Sequence, residues 1–281
     1  MEAKAENFSE YPIAVFDSGV GGLTVLRRMR ELLPAESFIY LGDTARLPYG
    51  TKSPETITRY ALMATAALAK HKIKMLVVAC NTASAVALPA LRQACRDITV
   101  IGVVEPGARA ACAASATKRI AVIATESTIR GKAYEISILR HAPKAIVISQ
   151  ACPLFVPMAE DGLADGPLAE GLAARYLDKI FAGPRMAGQQ IPDCLVLGCT
   201  HFPLLSKAIG AVIGPNVTLV DSAETTALDV QESLTSAGLL SKKEQGTLQF
   251  MTTDDVERFA RMGESFLGLP LDFASVNLVD L

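Results

Sequence analysis

The chain has 281 residues, of which 50% are hydrophobic and 20% are charged, and its net charge at pH 7 is −2. A disordered protein would combine low hydrophobicity with high net charge, so this class is excluded. The near-neutral charge also argues against a nucleic-acid partner, because the neutralisation of phosphates needs clustered basic residues.

Short apolar runs alternate with longer amphipathic stretches along the chain. The runs are apolar throughout, as expected of parallel strands that are buried on both faces. The predicted strands are 13–16, 38–41, 75–79, 100–104, 120–124, 145–148, 195–197 and 217–220. A helix is predicted to begin after Ser53, because a proline and Glu55 follow this capping serine. The Gly/Pro-rich segment 182–190 is predicted to be a surface loop, and the repeated βα units predict an α/β fold with mostly parallel sheets.

Membrane insertion and secretion are not expected. The most apolar stretches, such as 75–80, run for only a few residues, whereas a membrane-spanning helix needs about 20. The polar and acidic start of the chain, MEAKAENFSE, lacks the features of a signal peptide. We therefore expect a cytoplasmic protein without a membrane partner.

Two pairs of segments echo each other. LVVAC at 76–80 reads like LVLGC at 195–199, and polar residues follow both. IAVFDS at 13–18 reads like IAVIAT at 120–125, in the same order and at a similar offset. Any two buried strands share apolar letters, but the small residue, cysteine and polar ending of the first pair make a stronger match. The echoes predict two related α/β halves.

Cys80 and Cys199 end the first pair of segments. Ligand sites in open parallel sheets lie beyond the carboxyl ends of the strands. Both cysteines are predicted to precede a helix, whose N-terminus lowers the pKa of a thiol below its ordinary value of about 8.5. If the halves face each other, one thiol can remove a proton from one face of a stereocentre while the other delivers a proton to the opposite face. The alternative is that both are buried structural thiols.

The other four cysteines are predicted to be structural. No CxxC motif occurs and the chain has only three histidines, so we expect no metal site. A disulfide framework is not expected without a secretion signal. Three of these cysteines lie in apolar runs and one precedes a proline: Cys95, Cys112, Cys194 and Cys152.

Polar residues surround the predicted strand ends. Asn81-Thr82 and Thr200-His201 follow the two cysteines, and Asp17-Ser18 follows the first strand. The segment 19–22 then offers backbone N–H groups before a helix, which suits a carboxylate or a phosphate. Hydrogen-bond donors, thiols and one carboxylate thus gather at the carboxyl ends of the predicted strands, where an amino acid would fit.

Two other classes of protein stay open on these residues. Gly19-Val20-Gly21, with Asp43 at the end of the next strand, resembles part of a dinucleotide-binding fingerprint. However, Thr24 stands in place of the third glycine, and the paired cysteines would be unexplained. A two-lobed binding protein without catalysis would bind an amino acid but not exchange its α-proton with solvent.

Six motifs carry a family resemblance. They are FDSGVGGLTV (16–25), YLGDTARLPYGTKS (40–53), VVACNTASA (77–85), GVVEPG (102–107), CPLFVPMAEDG (152–162) and LGCTHFPLL (197–205). The chain resembles the glutamate racemases, the cofactor-independent two-cysteine amino-acid racemases of bacterial peptidoglycan synthesis. The related aspartate racemases carry an acid where this chain has His201, which favours glutamate.

The resemblance implies the residues of the active site. The catalytic set is Cys80, Cys199, Asp17, His201 and Glu160, with Cys80 acting on D-glutamate and Glu160 tuning His201. The substrate-binding set is Asp17, Ser18, Pro48, Tyr49, Gly50, Asn81, Thr82, Thr125, Thr200 and His201. No cofactor and no metal ion are implied.

The resemblance also implies the architecture. Two pseudosymmetric α/β domains are expected, with the active site in the cleft between them. Residues 1–104 and 217–281 are predicted to form the first domain, and residues 105–216 the second. Glutamate is the expected small-molecule partner, and a homodimer is the expected assembly.

Overall fold

The short apolar runs form strands because residues that are hydrophobic on both sides are stable where both faces of a sheet are covered. The computed structural model describes residues 8–281. Its strands are β1 (Ile13–Asp17), β2 (Phe38–Gly42), β3 (Met75–Val78), β4 (Thr99–Gly102), β5 (Arg119–Ala124), β6 (Ile146–Ala151), β7 (Cys194–Gly198), β8 (Thr218–Asp221), β9 (Leu248–Thr252) and β10 (Val276–Leu278). These strands form one sheet in the order β10-β9-β2-β1-β3-β4 and another in the order β6-β5-β7-β8. All of their pairings are parallel.

The two sheets share one arrangement. The run β2-β1-β3-β4 in the first sheet corresponds to β6-β5-β7-β8 in the second, and β9 and β10 extend the first sheet only. Both sequence echoes fall on equivalent strands, β1 with β5 and β3 with β7. The predicted α/β fold, with parallel sheets in two related halves, is therefore confirmed.

Helices connect the strands and cover the sheets. They are α1 (Leu23–Leu32), α2 (Pro54–Ala69), α3 (Asn81–Val86), α4 (Leu88–Ala94), α5 (Val104–Ala114), α6 (Glu126–Arg130), α7 (Ala133–His141), α8 (Phe155–Glu160), α9 (Gly166–Leu177), α10 (Ala182–Met186), α11 (Ser206–Ile213), α12 (Ser222–Ala237) and α13 (Val256–Leu267). The predicted start of α2 is confirmed, since Oγ of Ser53 accepts a hydrogen bond from the N–H of Thr56 at 3.3 Å. Leu47 and Pro48, ahead of this helix, are joined by a cis peptide bond.

Two predictions about local structure need correction, and two strands were missed. The strand predicted at 100–104 ends at Gly102, and α5 begins at Val104 because an acid and a proline in the first turn favour a helix start. The loop predicted at 182–190 contains α10, whose proline lies in the first turn, where it is tolerated. The strands β9 and β10 were not predicted, since only part of each is buried and neither is apolar throughout.

The predicted boundary between the halves also needs correction. The strand predicted at 217–220 was placed in the first domain, but β8 pairs with β7 in the second sheet, with Thr218 opposite Cys194. A buried strand has the same pattern in either sheet, so the sequence alone could not assign it. The chain crosses between the sheets twice, from β4 through α5 to β5 and from β8 through α12 to β9. Along the second crossing, α12 packs against both α1 and α5.

The structure bears on membrane association only through the helices of residues 8–281. Within residues 8–281, no helix is both long enough and apolar enough to cross a bilayer. The predicted absence of a signal peptide concerns residues 1–10, of which 1–7 lie outside the described residues.

Candidate active site

The two cysteines of the matched segments lie at equivalent places in the two sheets. Cys80 lies two residues after the end of β3, and Cys199 directly follows β7. The strands β3 and β7 each pair with the first strand of their half, β1 or β5. The exposed fractions of the two cysteines are 4% and 6%. The chain order reverses at this point of each sheet, which is where open parallel sheets bind ligands.

Cys80 is held at the N-terminus of α3. Its Sγ accepts a hydrogen bond from the N–H of Ala83 at 3.5 Å, and the thiol donates to Oγ of Ser18 at 3.5 Å. Burial and then the negative charge of Asp17 nevertheless raise the pKa of Cys80 to about 12. The predicted lowering of this pKa is wrong, because desolvation and a like charge outweigh the bonds from the helix terminus. Cys80 is therefore a neutral thiol at pH 7.

Asp17 lies at the end of β1 and is 1% exposed. Its Oδ2 accepts a hydrogen bond from the N–H of Gly19 at 3.1 Å, while Oδ1 has no hydrogen-bond partner among the described residues. Burial raises the pKa of this carboxyl against the lowering effect of His201 and of backbone N–H groups. The carboxyl thus interacts electrostatically with both Cys80 and His201.

His201 connects Cys199 to Glu160. Its Nδ1 lies 3.9 Å from Sγ of Cys199, and its Nε2 lies 3.1 Å from Oε1 of Glu160. Burial alone would lower its pKa, but the hydrogen bonds and negative charges of these two partners raise it to about 10. The imidazole is therefore protonated at pH 7 and places a positive charge beside Cys199. Phe266 of α13 packs edge-on against the ring, with the centroids 5.0 Å apart.

The loop at 18–21 brings the two cysteine loops together. Ser18 contacts Cys80, and a Cβ on Gly21 would lie only 2.4 Å from Nδ1 of His201. Because three residues span at most about 11 Å, the Cys80 loop and the Cys199 loop lie close to each other. Gly21 is required here, since any side chain would push the second cysteine loop away.

Asp43 holds the loop that carries Pro48, Tyr49 and Gly50. Its Oδ2 accepts a hydrogen bond from the phenol of Tyr49 at 2.6 Å, and its Oδ1 accepts from Arg46 at 2.8 Å and Thr253 at 2.9 Å. The phenol of Tyr49 is thus engaged within the first half. Pro48 is exposed, and its carbonyl bonds within the same loop.

These contacts weigh against the dinucleotide-binding alternative. Asp43 is fully buried and both of its oxygens are hydrogen-bonded inside the fold, so neither is available to a ribose hydroxyl. Thr24, in place of the third glycine, donates from Oγ1 to the carbonyl of Thr200 at 3.1 Å. The segment therefore serves to join the two halves.

Three threonine hydroxyls meet where the halves touch. Oγ1 of Thr82 lies 3.0 Å from Oγ1 of Thr125, and Thr128 of α6 lies 3.4 Å and 3.1 Å from them. A Cβ on Gly50 would lie 2.9 Å from Cβ of Thr125. Thr128 is missing from the predicted set, although its place three residues after Thr125, on the same helical face, was an available signal.

Asn81 has a partner that the sequence did not reveal. Its Oδ1 accepts a hydrogen bond from the phenol of Tyr134 at 2.6 Å, while its Nδ2 has no partner among the described residues. Tyr134 lies on α7 in the second half. No local pattern connects two residues so far apart in the chain.

The other predicted features concern cysteines and metals. All six cysteines are free; Cys112, Cys152 and Cys194 are buried and Cys95 is partly buried. Across residues 8–281, no group of three or more His, Cys, Asp and Glu side chains is arranged to hold a metal ion. The predicted absence of a cofactor stays a prediction.

Comparisons with known proteins agree with this geometry. The family model described as Asp/Glu/Hydantoin racemase matches residues 13–229. A glutamate racemase from Geobacter metallireducens is 53% identical over 257 residues, which cover 91% of this chain and 92% of that protein. The crystal structure of a glutamate racemase isoform from Bacillus anthracis has a TM-score of 0.89 at 38% identity, covering 97% of this chain and 98% of that one. Glutamate racemase from Francisella tularensis, crystallised with D-glutamate, has a TM-score of 0.88 at 33% identity and covers 97% and 98%. The chain therefore belongs to the Asp/Glu racemase family and, within it, to the glutamate racemases.

Proposed function

We propose that this racemase interconverts L- and D-glutamate by a two-base mechanism, with Cys80 and Cys199 acting on opposite faces of the α-carbon. The observation that carries the proposal is the position of the two thiols at the ends of the equivalent strands β3 and β7, with the loop at 18–21 against both cysteine loops. The choice of glutamate is supported by the relatives, one of which was crystallised with D-glutamate.

The two thiols differ before substrate binds. Cys80 has a pKa of about 12 and carries its proton. Cys199 lies beside the imidazolium of His201, with its Sγ 3.9 Å from Nδ1. We therefore assign Cys80 as the acid and Cys199 as the base in the reaction of L-glutamate.

Racemisation then proceeds by two proton transfers. The Cys199 thiolate removes the α-proton of L-glutamate, so that an S–H bond forms and the C–H bond breaks. The electron pair on the α-carbon is delocalised into the adjacent carboxylate. The Cys80 thiol gives its proton to the opposite face, which completes D-glutamate and leaves a thiolate on Cys80. In the reverse reaction the two cysteines exchange roles. The protons and electrons of this scheme balance without a cofactor.

Asp17 restores the resting state in this proposal. After D-glutamate leaves, Cys80 needs a proton and Cys199 must lose one. Oδ1 of Asp17 has no partner among the described residues, and burial raises the pKa of this carboxyl. These properties suit a group that accepts and returns a proton between the two loops.

Donors from both halves bind the substrate carboxylates. Nδ2 of Asn81 and the hydroxyls of Thr82 and Thr125 lie on the Cys80 side, and the hydroxyl of Thr200 lies on the other. Hydrogen bonds from the threonine hydroxyls to the α-carboxylate stabilise the charge that develops when the α-proton leaves.

The direct test measures optical activity. Purified protein is incubated with EDTA and either L-glutamate or L-aspartate, and circular dichroism follows each solution. We expect the glutamate signal to decay to zero and the aspartate signal to persist. Decay with aspartate alone, or activity only with added nicotinamide or flavin, would contradict the proposal.

The cellular part of the proposal is a cytoplasmic homodimer that supplies D-glutamate for peptidoglycan synthesis. The role of the family in that synthesis supports it. In a bacterium depleted of its own glutamate racemase, expression of this chain is expected to restore growth, as added D-glutamate should. Light scattering of the purified protein tests the dimer, and cell fractionation tests the location.

A further inference from the structure

Tyr134 touches both cysteine loops from one position. It is 2% exposed, and its phenol bonds to Asn81, the residue after Cys80. A Cβ on Gly198, the residue before Cys199, would lie 2.9 Å from Cε2 of the same ring. One side chain of the second half thus spans from the loop of one cysteine to the loop of the other.

The phenol fixes the orientation of the Asn81 carboxamide. The distance of 2.6 Å between the two oxygens fits an O–H···O hydrogen bond and is shorter than the usual range for a donated amide N–H, about 2.7–3.2 Å. The oxygen of the carboxamide therefore faces Tyr134, and its NH2 group faces the other way. Burial, followed by the charges of Cys199 and Asp221, raises the pKa of Tyr134, so the phenol remains a donor over the working pH range.

The NH2 group of Asn81 has no acceptor among the described residues. Asn81 is only 2% exposed, and its Nδ2 is among the buried atoms without a hydrogen bond. A buried donor without a partner is unfavourable, and this one lies in the loop directly after a reactive thiol. A carboxylate oxygen is the group that would satisfy it there.

We propose that Tyr134 is a positioning residue that holds the Asn81 carboxamide so that its NH2 group donates to a carboxylate of bound glutamate. This inference rests on the proposed function. The carboxylate is present both in bound substrate and in the transition state, so loss of the orientation raises KM and leaves kcat nearly unchanged. Because the two enantiomers have equal free energy, kcat/KM falls by the same factor in both directions.

The test is a double-mutant cycle with Tyr134→Phe, Asn81→Ala and the double variant. Phenylalanine keeps the ring between the loops and removes only the hydroxyl. We expect Tyr134→Phe to raise KM about tenfold, the loss of roughly one hydrogen bond. In the Asn81→Ala background, the same substitution should have no further effect, since the group that it positions is gone.

Two further variants separate positioning from folding. Asn81→Asp keeps an acceptor for the Tyr134 phenol but has no NH2 group, so it should raise KM at least as much as Tyr134→Phe. Tyr176→Phe is the control: Tyr176 lies on α9, and its phenol oxygen accepts a hydrogen bond from the N–H of Leu154 at 3.3 Å. This variant also loses a phenol hydroxyl, and it should keep the wild-type KM.

Three results would overturn the inference: a wild-type KM for Tyr134→Phe, an equal effect in the Asn81→Ala background, or a wild-type KM for Asn81→Asp. Calorimetric binding of L-glutamate to wild type and Tyr134→Phe gives a readout that does not need turnover. If the wild type binds glutamate without racemising it, the proposed function fails. Tenfold weaker binding to Tyr134→Phe would still support the role of Tyr134, and equal binding would overturn it.

Discussion

The Cys80 loop and the Cys199 loop have the same place in the fold and opposite electrostatics. Each follows the strand next to the centre of its half, but Cys80 faces the carboxyl of Asp17, whereas Cys199 faces the imidazolium of His201. The first environment disfavours ionisation of the Cys80 thiol, whereas the second places a positive charge beside Cys199. Repetition of the strand order thus places the two thiols at equivalent strand ends, and unlike neighbours give them opposite electrostatic surroundings.

The largest effect is expected from removal of either thiol. Cys80→Ser and Cys199→Ser should each lower kcat/KM for glutamate by about 10²–10⁴-fold, as expected for loss of an acid–base group. In D2O, each variant should retain exchange of the α-proton of only the enantiomer that faces its remaining cysteine. Proton NMR of L- and D-glutamate measures this exchange.

Cys95→Ser is the matched control for these variants, because Cys95 is a partly buried free thiol outside the site. It should keep wild-type activity. If either single-site variant, Cys80→Ser or Cys199→Ser, racemises glutamate at the wild-type rate, the two thiols do not act as a pair.

A side chain at Gly21 would force the two cysteine loops apart, which tests whether their close contact is needed. In Gly21→Ala the added Cβ would lie 2.3 Å from Oγ1 of Thr200, so the Cys199 loop has to move. Misplacement by about 1 Å can cost roughly 10²-fold in rate, and we expect a loss of that order. Gly171→Ala on α9 is the control, because a Cβ at Gly171 would meet no atom within 4 Å. Equal activity of Gly21→Ala and Gly171→Ala would contradict this interpretation.

Glu160→Gln tests the charge on the Cys199 side. The pKa of His201 is about 10, so the imidazolium persists below that pH and is lost as pH rises through it. The variant removes a negative partner and lowers this pKa, so the alkaline fall in kcat should begin at lower pH, with about tenfold less activity at pH 9. A pH–rate profile measures the shift, with the exposed Glu170→Gln as control.

Ionisation of His201 also links pH to stability. Its pKa in the folded chain lies above the ordinary 6.5, so its stabilising contribution is complete below pH 6.5 and disappears as pH passes about 10. Chemical denaturation at pH 6 and pH 10 should show a smaller difference for Glu160→Gln than for wild type. An unchanged difference would show that Glu160 does not support the imidazolium.

The smallest effect is expected at Thr128, which belongs to neither cysteine loop. Thr128→Val keeps the shape of the side chain and removes one hydroxyl from the threonine cluster. We expect a loss of about 1 kcal/mol in the free energy of unfolding and a KM within about fivefold of wild type. A loss of activity as large as that of Cys80→Ser would mean that Thr128 has a direct role.

The sequence predicts well what is local and repeated. Uniformly apolar runs predicted eight strands, and the matching LVVAC and LVLGC segments predicted the equivalence of β3 and β7. It could not predict β9 or β10, because half-buried strands such as LQFMT lack a clear pattern. The sheet to which β8 belongs depends on pairing and not on its composition.

The residues of the site were likewise predictable only where the signal is local in the sequence. The residues adjoining each cysteine were predictable from the motifs, but the partners that set their chemistry come from elsewhere in the chain. The high pKa of Cys80 depends on burial and on Asp17, and the orientation of Asn81 depends on Tyr134. A helix N-terminus suggests a low thiol pKa only when desolvation is left out.

Burial of the site has a kinetic consequence. Cys80, Cys199 and His201 are at most 6% exposed, so glutamate reaches both thiols only after the residues that cover them have moved. Every turnover then includes opening for entry and again for exit, and such motions often limit an enzyme more than its chemistry. If so, added sucrose should slow kcat in proportion to solvent viscosity, and replacement of the α-hydrogen by deuterium should have little effect on kcat.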